Sequence, residues 1–119
     1  MKNFKELKVW QKSVELVTSI YQTTKVFPKE EQFGIINQIR RCAVSVPSNI
    51  AEGFGRNSDN DFKRFLSISK GSLYEFETQL EISYRLNYIG LSDFETLNSL
   101  AIEIDKMING LIKSLNKKY

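Results

Sequence analysis

The stretch QIRRCAVSVPSNIAEGFGR, residues 38–56, decides how this chain is read. Ile39, Ala43, Val46 and Ile50 follow the spacing of one face of a helix, yet Pro47 stands among them. A proline inside a helix removes one backbone donor and crowds the preceding turn, at a cost of about 3 kcal/mol. Two readings compete: two short helices broken at the proline, or one helix that tolerates it. The unbroken apolar register on both sides of Pro47 favours one helix, kinked at that position. Ser45, Ser48 and Asn49 supply hydroxyl and amide groups for the backbone that such a kink leaves unpaired.

Working outward, three further helices emerge from period and caps. Before the stretch, Leu7, Trp10, Val14, Val17, Tyr21 and Thr24 make a helical stripe. Asn3 and Glu6 offer a capping box at its start, and Pro28 ends it. The helix containing residues 38–56 starts after PKEE, whose acids suit a helix N-terminus. Beyond it, Ser58 caps a helix whose apolar side runs Phe62, Phe65, Ser69, Leu73, Phe76, Leu80 and Ser83, with Gly90 closing the connection. Ser92 and Glu95 then open a helix lined by Phe94, Leu97, Ala101, Ile104, Ile108, Leu111 and Leu115. Sustained apolar–polar alternation, the mark of a strand, does not occur. Short connections between long helices make sequential helices antiparallel neighbours. The expected fold is therefore all-α, a single domain over residues 1–119 built as an up-down-up-down antiparallel four-helix bundle.

Apolar residues make up 41% and charged residues 26% of the 119, ordinary values for a folded globular chain. No run is long and apolar enough for a membrane span or a signal peptide, and one cysteine allows no internal disulfide. The expected location is the cytoplasm, with no membrane partner. Val9, Leu16, Ile20 and Phe27 lie off the first stripe, as do Ile68, Tyr74, Ile82 and Tyr84 on the third helix. Leu100, Ile102, Met107 and Ile112 do the same on the fourth. A bundle helix needs only about three apolar positions in seven, so this surplus points to a subunit interface.

Chemistry is sparse. The chain has no histidine, which removes the commonest general base and the Glu-x-x-His ligands of di-iron bundles. Glu75 and Glu103 are read as unpaired surface acids that do not converge on a metal, Cys42 as a small buried thiol, and GFG at 53–55 as no phosphate loop. The expectation is a non-enzyme with no cofactor, metal or catalytic residue.

The net charge of +3 is unevenly spread. Arg40, Arg41, Arg56, Lys63 and Arg64 gather around the second helix and its following loop. Lys113, Lys117 and Lys118 end the chain. Arginine suits phosphate and Phe54 beside Arg56 offers stacking, so these eight are the candidate nucleic-acid contacts. Glu52, Asp59 and Asp61 interrupt the patch, leaving ion pairs within the bundle as an equal alternative. Pro47, Asn49, Glu52, Gly53, Gly71 and Ser72 are read as a structural motif, with Gly71 and Ser72 where a bent second helix approaches the third closely.

The segments LKVWQKSVEL, FPKEEQFGIINQIRR, QIRRCAVSVPSNIAEGFGR, FLSISKGSLYEFETQL and INGLIKSL together resemble the bundle family encoded in intervening sequences of bacterial 23S ribosomal RNA genes, also labelled the S23 ribosomal protein family. Cys42 stands where that family usually has alanine. The resemblance implies a left-handed bundle assembled as a homopentamer. The sequence also looks like the accessory variability determinant of diversity-generating retroelements, a basic bundle that binds nucleic acid and a reverse transcriptase. Two functions remain open: an RNA- or DNA-associated accessory protein, or a protein–protein scaffold without a nucleic-acid partner.

Overall fold

A computed structural model describes residues 3–116. Its four helices are α1 (Lys8–Thr23), α2 (Ile35–Phe54), α3 (Asp59–Arg85) and α4 (Leu91–Asn116). Each packs on the next, and α1 also packs on α4, so the four enclose one core about 49 Å long. Cross-helix bonds fix relative direction. Lys63 reaches Asn116, Lys70 reaches Asn109 and Tyr74 reaches Asp105, so α4 retreats as α3 advances. Cys42 to Glu75, Ser45 to Ser72 and Val46 to Ser69 give α2 and α3 the same opposed sense.

The core lines of α2, α3 and α4 are those the spacing gives: Ile39, Ala43, Val46, Ile50, Leu73, Phe76, Leu80, Ala101, Ile104 and Ile108 are fully enclosed. Burying each large apolar side chain stabilises the fold by about 1.5–3 kcal/mol. The reading of α1 holds only at its ends, where Leu7 and Thr24 are buried. Its buried line is Val9, Ser13, Leu16 and Ile20, whereas Trp10, Val14 and Val17 are half-buried and Tyr21 is exposed. Both lines have helical period. The outer one carries larger aromatics, and those aromatics pack on the rim, as Trp10 does edge-on against Phe4.

Ends differ from expectation in detail. The Asn3–Glu6 capping box exists but closes a short 3-10 turn over Phe4–Glu6, and α1 starts after Leu7. Ser58 accepts from the Asp61 N–H as read. The turn after α3 is made by Asn87, not Gly90. Asn87 takes φ 63°, and the Tyr88 and Asn87 N–H groups donate to the Ser83 and Tyr84 carbonyls, which closes the helix. Gly90 instead precedes α4, its carbonyl accepting from the Phe94 N–H, two residues ahead of the expected Ser92 cap. No helix among the described residues is long and apolar enough to cross a membrane.

Candidate functional site

The α2–α3 seam carries most of the residues singled out by sequence. α2 continues as one helix through Pro47, which is buried. Around it, the Asn49 side-chain amide donates to the Ser45 carbonyl at 2.9 Å and to Ser45 Oγ at 3.0 Å. Ser45 and Ser72 share a hydroxyl bond of 2.9 Å across to α3. The fully buried Ser69 Oγ donates to the Val46 carbonyl at 2.9 Å. The proline segment is thus tied to α3 by side-chain hydroxyls, and each tie fixes the register of the two helices.

Two motif assignments need correction. Gly71 is exposed, and a Cβ there would meet nothing within 4 Å, so it marks no close approach. Gly53 does: a Cβ on it would lie 2.6 Å from the Phe65 Cβ, so only glycine lets α2 and α3 converge at this end. Glu52 takes no part in the Asn49 network. It accepts from Arg56 at 2.9 Å instead.

The candidate phosphate-binding residues separate into distinct groups. Arg40 is structural: it donates to Thr24 Oγ1 at 2.8 Å and to the Tyr21 carbonyl, and its guanidinium lies 4.5 Å from the Tyr21 ring centre. Arg56 and Arg64 stack on the Phe65 ring, at 5.0 and 4.6 Å, while Phe54 packs edge-on against Phe62. The expected Phe54–Arg56 stack is therefore replaced by Phe65, because α3 brings that ring within reach of both arginines. Arg56 also pairs with Glu52, and Arg64 stands 3.8 Å from Asp61. Exposed pairs of this kind contribute about 0–1 kcal/mol and exchange readily. Lys63 donates to Asn116 Oδ1 at 2.7 Å. Arg41 and Lys113 are exposed. Lys117 and Lys118 lie outside the described residues. A cleft of about 780 Å³ opens beside this elbow, between Phe54, Arg56, Asn57, Ser58, Phe62 and Leu115.

Adjoining the proline node, a second cavity of about 360 Å³ lies between α2 and α3, with Asn37, Gln38, Arg41, Cys42 and Ser45 on one side and Ser72, Glu75 and Gln79 on the other. The Cys42 thiol donates to Glu75 Oε2 at 3.6 Å. Burial, then the Glu75 charge and its hydrogen bond, push the thiol up to about 11, against a partial offset from Gln79 and Arg41. A thiol so held is protonated at neutral pH and a poor nucleophile. Glu75 is thus engaged rather than unpaired, and Glu103 faces Lys12 at 3.8 Å. Cys42 itself is half-buried at the seam rather than enclosed. Sequence alone missed Asn37, Gln38 and Gln79; the four-residue step from Glu75 to Gln79 was the available signal, but only the helix register sets it opposite Cys42. Among the described residues no three His, Cys, Asp or Glu side chains come together as a metal site.

The surplus apolar residues sort by the same register. Val9, Leu16, Ile20 and Phe27 are core, and Tyr84, Leu100, Met107 and Ile112 pack against it. Ile68, Tyr74, Ile82 and Ile102 stay exposed. On α3, Ile68, Gly71, Glu75, Thr78 and Ile82 step by three and four along the side opposite the buried line.

The protein model of the 23S rRNA-intervening sequence proteins matches residues 5–110. The chain belongs to that family. A similar crystal structure is that of a protein with unknown function from the S23 ribosomal protein family of Bacteroides thetaiotaomicron. It is 31% identical, covers 88% of this chain and 98% of its own, and superposes with a TM-score of 0.81. Comparison with curated proteins gives no match. The resemblance carried by the 38–56 stretch is thereby established, and with it the four-helix fold of this intervening-sequence protein.

Proposed function

We propose that this protein is a non-enzymatic, self-associating bundle that serves as a cytoplasmic accessory protein to RNA or DNA. The observation that carries the reading is the elbow where Arg56 and Arg64 both lie against the Phe65 ring. Their side chains are 46% and 58% exposed, so both guanidiniums are oriented by packing yet open to a phosphate. Stacked guanidinium loses less freedom on binding than a free side chain does. The outer side of α3, with Ile68, Tyr74 and Ile82 exposed, supplies apolar area for self-association into the homopentamer that the family resemblance implies. Repetition around one axis would multiply a patch that is weak in one chain. A non-enzymatic role accords with the missing histidine and the protonated Cys42 thiol.

A second reading, a protein–protein scaffold without nucleic acid, is favoured by the pairing of Arg56 with Glu52 and Arg64 with Asp61, which answers the elbow's charge from within. Binding of single-stranded RNA and DNA across a salt series separates the two, with mass by light scattering measured alongside. The first reading predicts an assembly larger than one chain and an affinity falling by a log-log slope of about −0.7 per phosphate neutralised. It also predicts that Arg56→Glu, Lys63→Glu and Arg64→Glu together reduce binding without changing the mass. An assembled protein that binds neither strand at low salt establishes the scaffold instead.

A further inference from the structure

The cleft of about 780 Å³ at the α2–α3 elbow has aromatic walls that the fold covers only in part. Phe54, the last residue of α2, and Phe62, in the first turn of α3, meet edge-on at 89°, and Leu115 adds an apolar wall from α4. Both rings are half-buried and both line the cleft, so each keeps surface for a further partner. Beside the rings the lining is polar, with the Arg56 guanidinium, the Asn57 amide and the Asp59 carboxylate. The volume is that of a ligand cleft, roughly 300–1,000 Å³. The cleft opens at the end of the bundle. Phe62 belongs to the core side of α3, opposite Ile68 and Ile82, so self-association through those residues leaves the cleft accessible.

This mixed lining narrows the occupant. A phosphate inside the cleft makes no use of the rings and is repelled by Asp59. An aliphatic side chain suits the rings but gains nothing from the polar lining. A nucleobase answers both, with a π-face for the rings and an edge of donors and acceptors for Asn57 and Asp59. The base is neutral, so Asp59 does not oppose it. The phosphate attached to it falls to Arg56, whose guanidinium is held against Phe65 beside the cleft. Bases of a duplex are stacked and paired, and only an unpaired strand can offer one to aromatic walls. We infer that the elbow cleft takes one unpaired base of a single-stranded nucleic acid against Phe54 and Phe62, with Arg56 on the adjoining phosphate. The inference rests on the nucleic-acid reading above and adds to it the single strand and the place of the base. Every base has a π-face, so this contact holds a strand without selecting its sequence.

The test is fluorescence anisotropy with a labelled short oligothymidylate and a strand of the same length whose sugars carry no bases. The two present the same phosphates and differ only in what can enter the cleft. Oligothymidylate should bind the parent protein about tenfold tighter, the size of one base–aromatic contact, and with the same salt slope as the abasic strand. Phe54→Leu and, separately, Phe62→Leu keep an apolar side chain and remove the ring. Each should bring oligothymidylate down toward the abasic strand and leave abasic affinity, helical circular dichroism and oligomer mass unchanged. The strand comparison is made on the parent, so it stands even where a variant does not fold. Equal affinity of the parent for the two strands, with the salt dependence intact, overturns the base cleft and leaves phosphate binding standing. Failure of both strands to bind at low salt overturns both readings. A preference for oligothymidylate that survives in either folded variant places the base contact elsewhere and also overturns the cleft.

Discussion

Two adjoining parts of the α2–α3 seam handle polar groups in opposite ways. At the proline node, Ser45, Ser69, Ser72 and Asn49 are all engaged, and the Val46 and Ser45 carbonyls both gain side-chain donors. At the Cys42 groove, the Glu75 carboxylate meets only a thiol, and Gln79 Oε1 meets no donor. The first part holds two helices in register and the second does not need to. A satisfied polar cluster adds specificity to a core, while one left short of partners is disfavoured unless something else answers it. The difference assigns the holding of register to the serines.

Removing a partner from the satisfied part should have the largest effect. Ser69→Ala takes a fully buried donor from the Val46 carbonyl and should lower unfolding free energy by about 2 kcal/mol, measured by urea denaturation. A change near zero would show that the node is ornamental and would remove the contrast with the groove.

A smaller effect sharpens the same comparison through pH. Cys42 has its thiol raised from 9.0 to about 11 in the folded protein. The native state therefore holds this proton more tightly than the unfolded chain does. The stability it contributes is complete below 9.0 and is lost as pH rises from there to about 11. Unfolding of the parent and of Cys42→Ala across that window should show the parent losing ground as the pH climbs. The same shift predicts slow alkylation by iodoacetamide at neutral pH, with a faster rate in Glu75→Gln, where one source of the rise is gone.

Much of the fold was legible from spacing. The line Ile39–Ala43–Val46–Ile50 is the one apolar face of its helix, so period alone aims it inward. α1 defeated that argument because Trp10, Val14, Val17 and Tyr21 form a second line of equal period. Only packing against α2 and α4 selects Val9, Leu16 and Ile20. Ser45 and Asn49 around Pro47 were visible as spare hydrogen-bonding groups, but the bonds that join Ser45 and Val46 to α3 depend on register, which the sequence does not encode locally. The same holds for glycine: Gly53 and Gly71 look alike in the chain, and only the distance from Gly53 to Phe65 tells them apart. Arg40 and Arg41, adjacent in sequence, diverge because a helix turns them apart, one onto Tyr21 and one toward the groove.

The contrast between the two parts of the seam rests most directly on Gln79. If its buried oxygen contributes nothing to the fold, Gln79→Leu replaces an unanswered acceptor with an apolar group of similar size. Urea denaturation of the ligand-free protein should then give a stability equal to the parent's or higher by about 1 kcal/mol. A loss of about 2 kcal/mol or more, comparable to that of Ser69→Ala, would mean that Gln79 supports the fold as the serines do and would contradict the division drawn here.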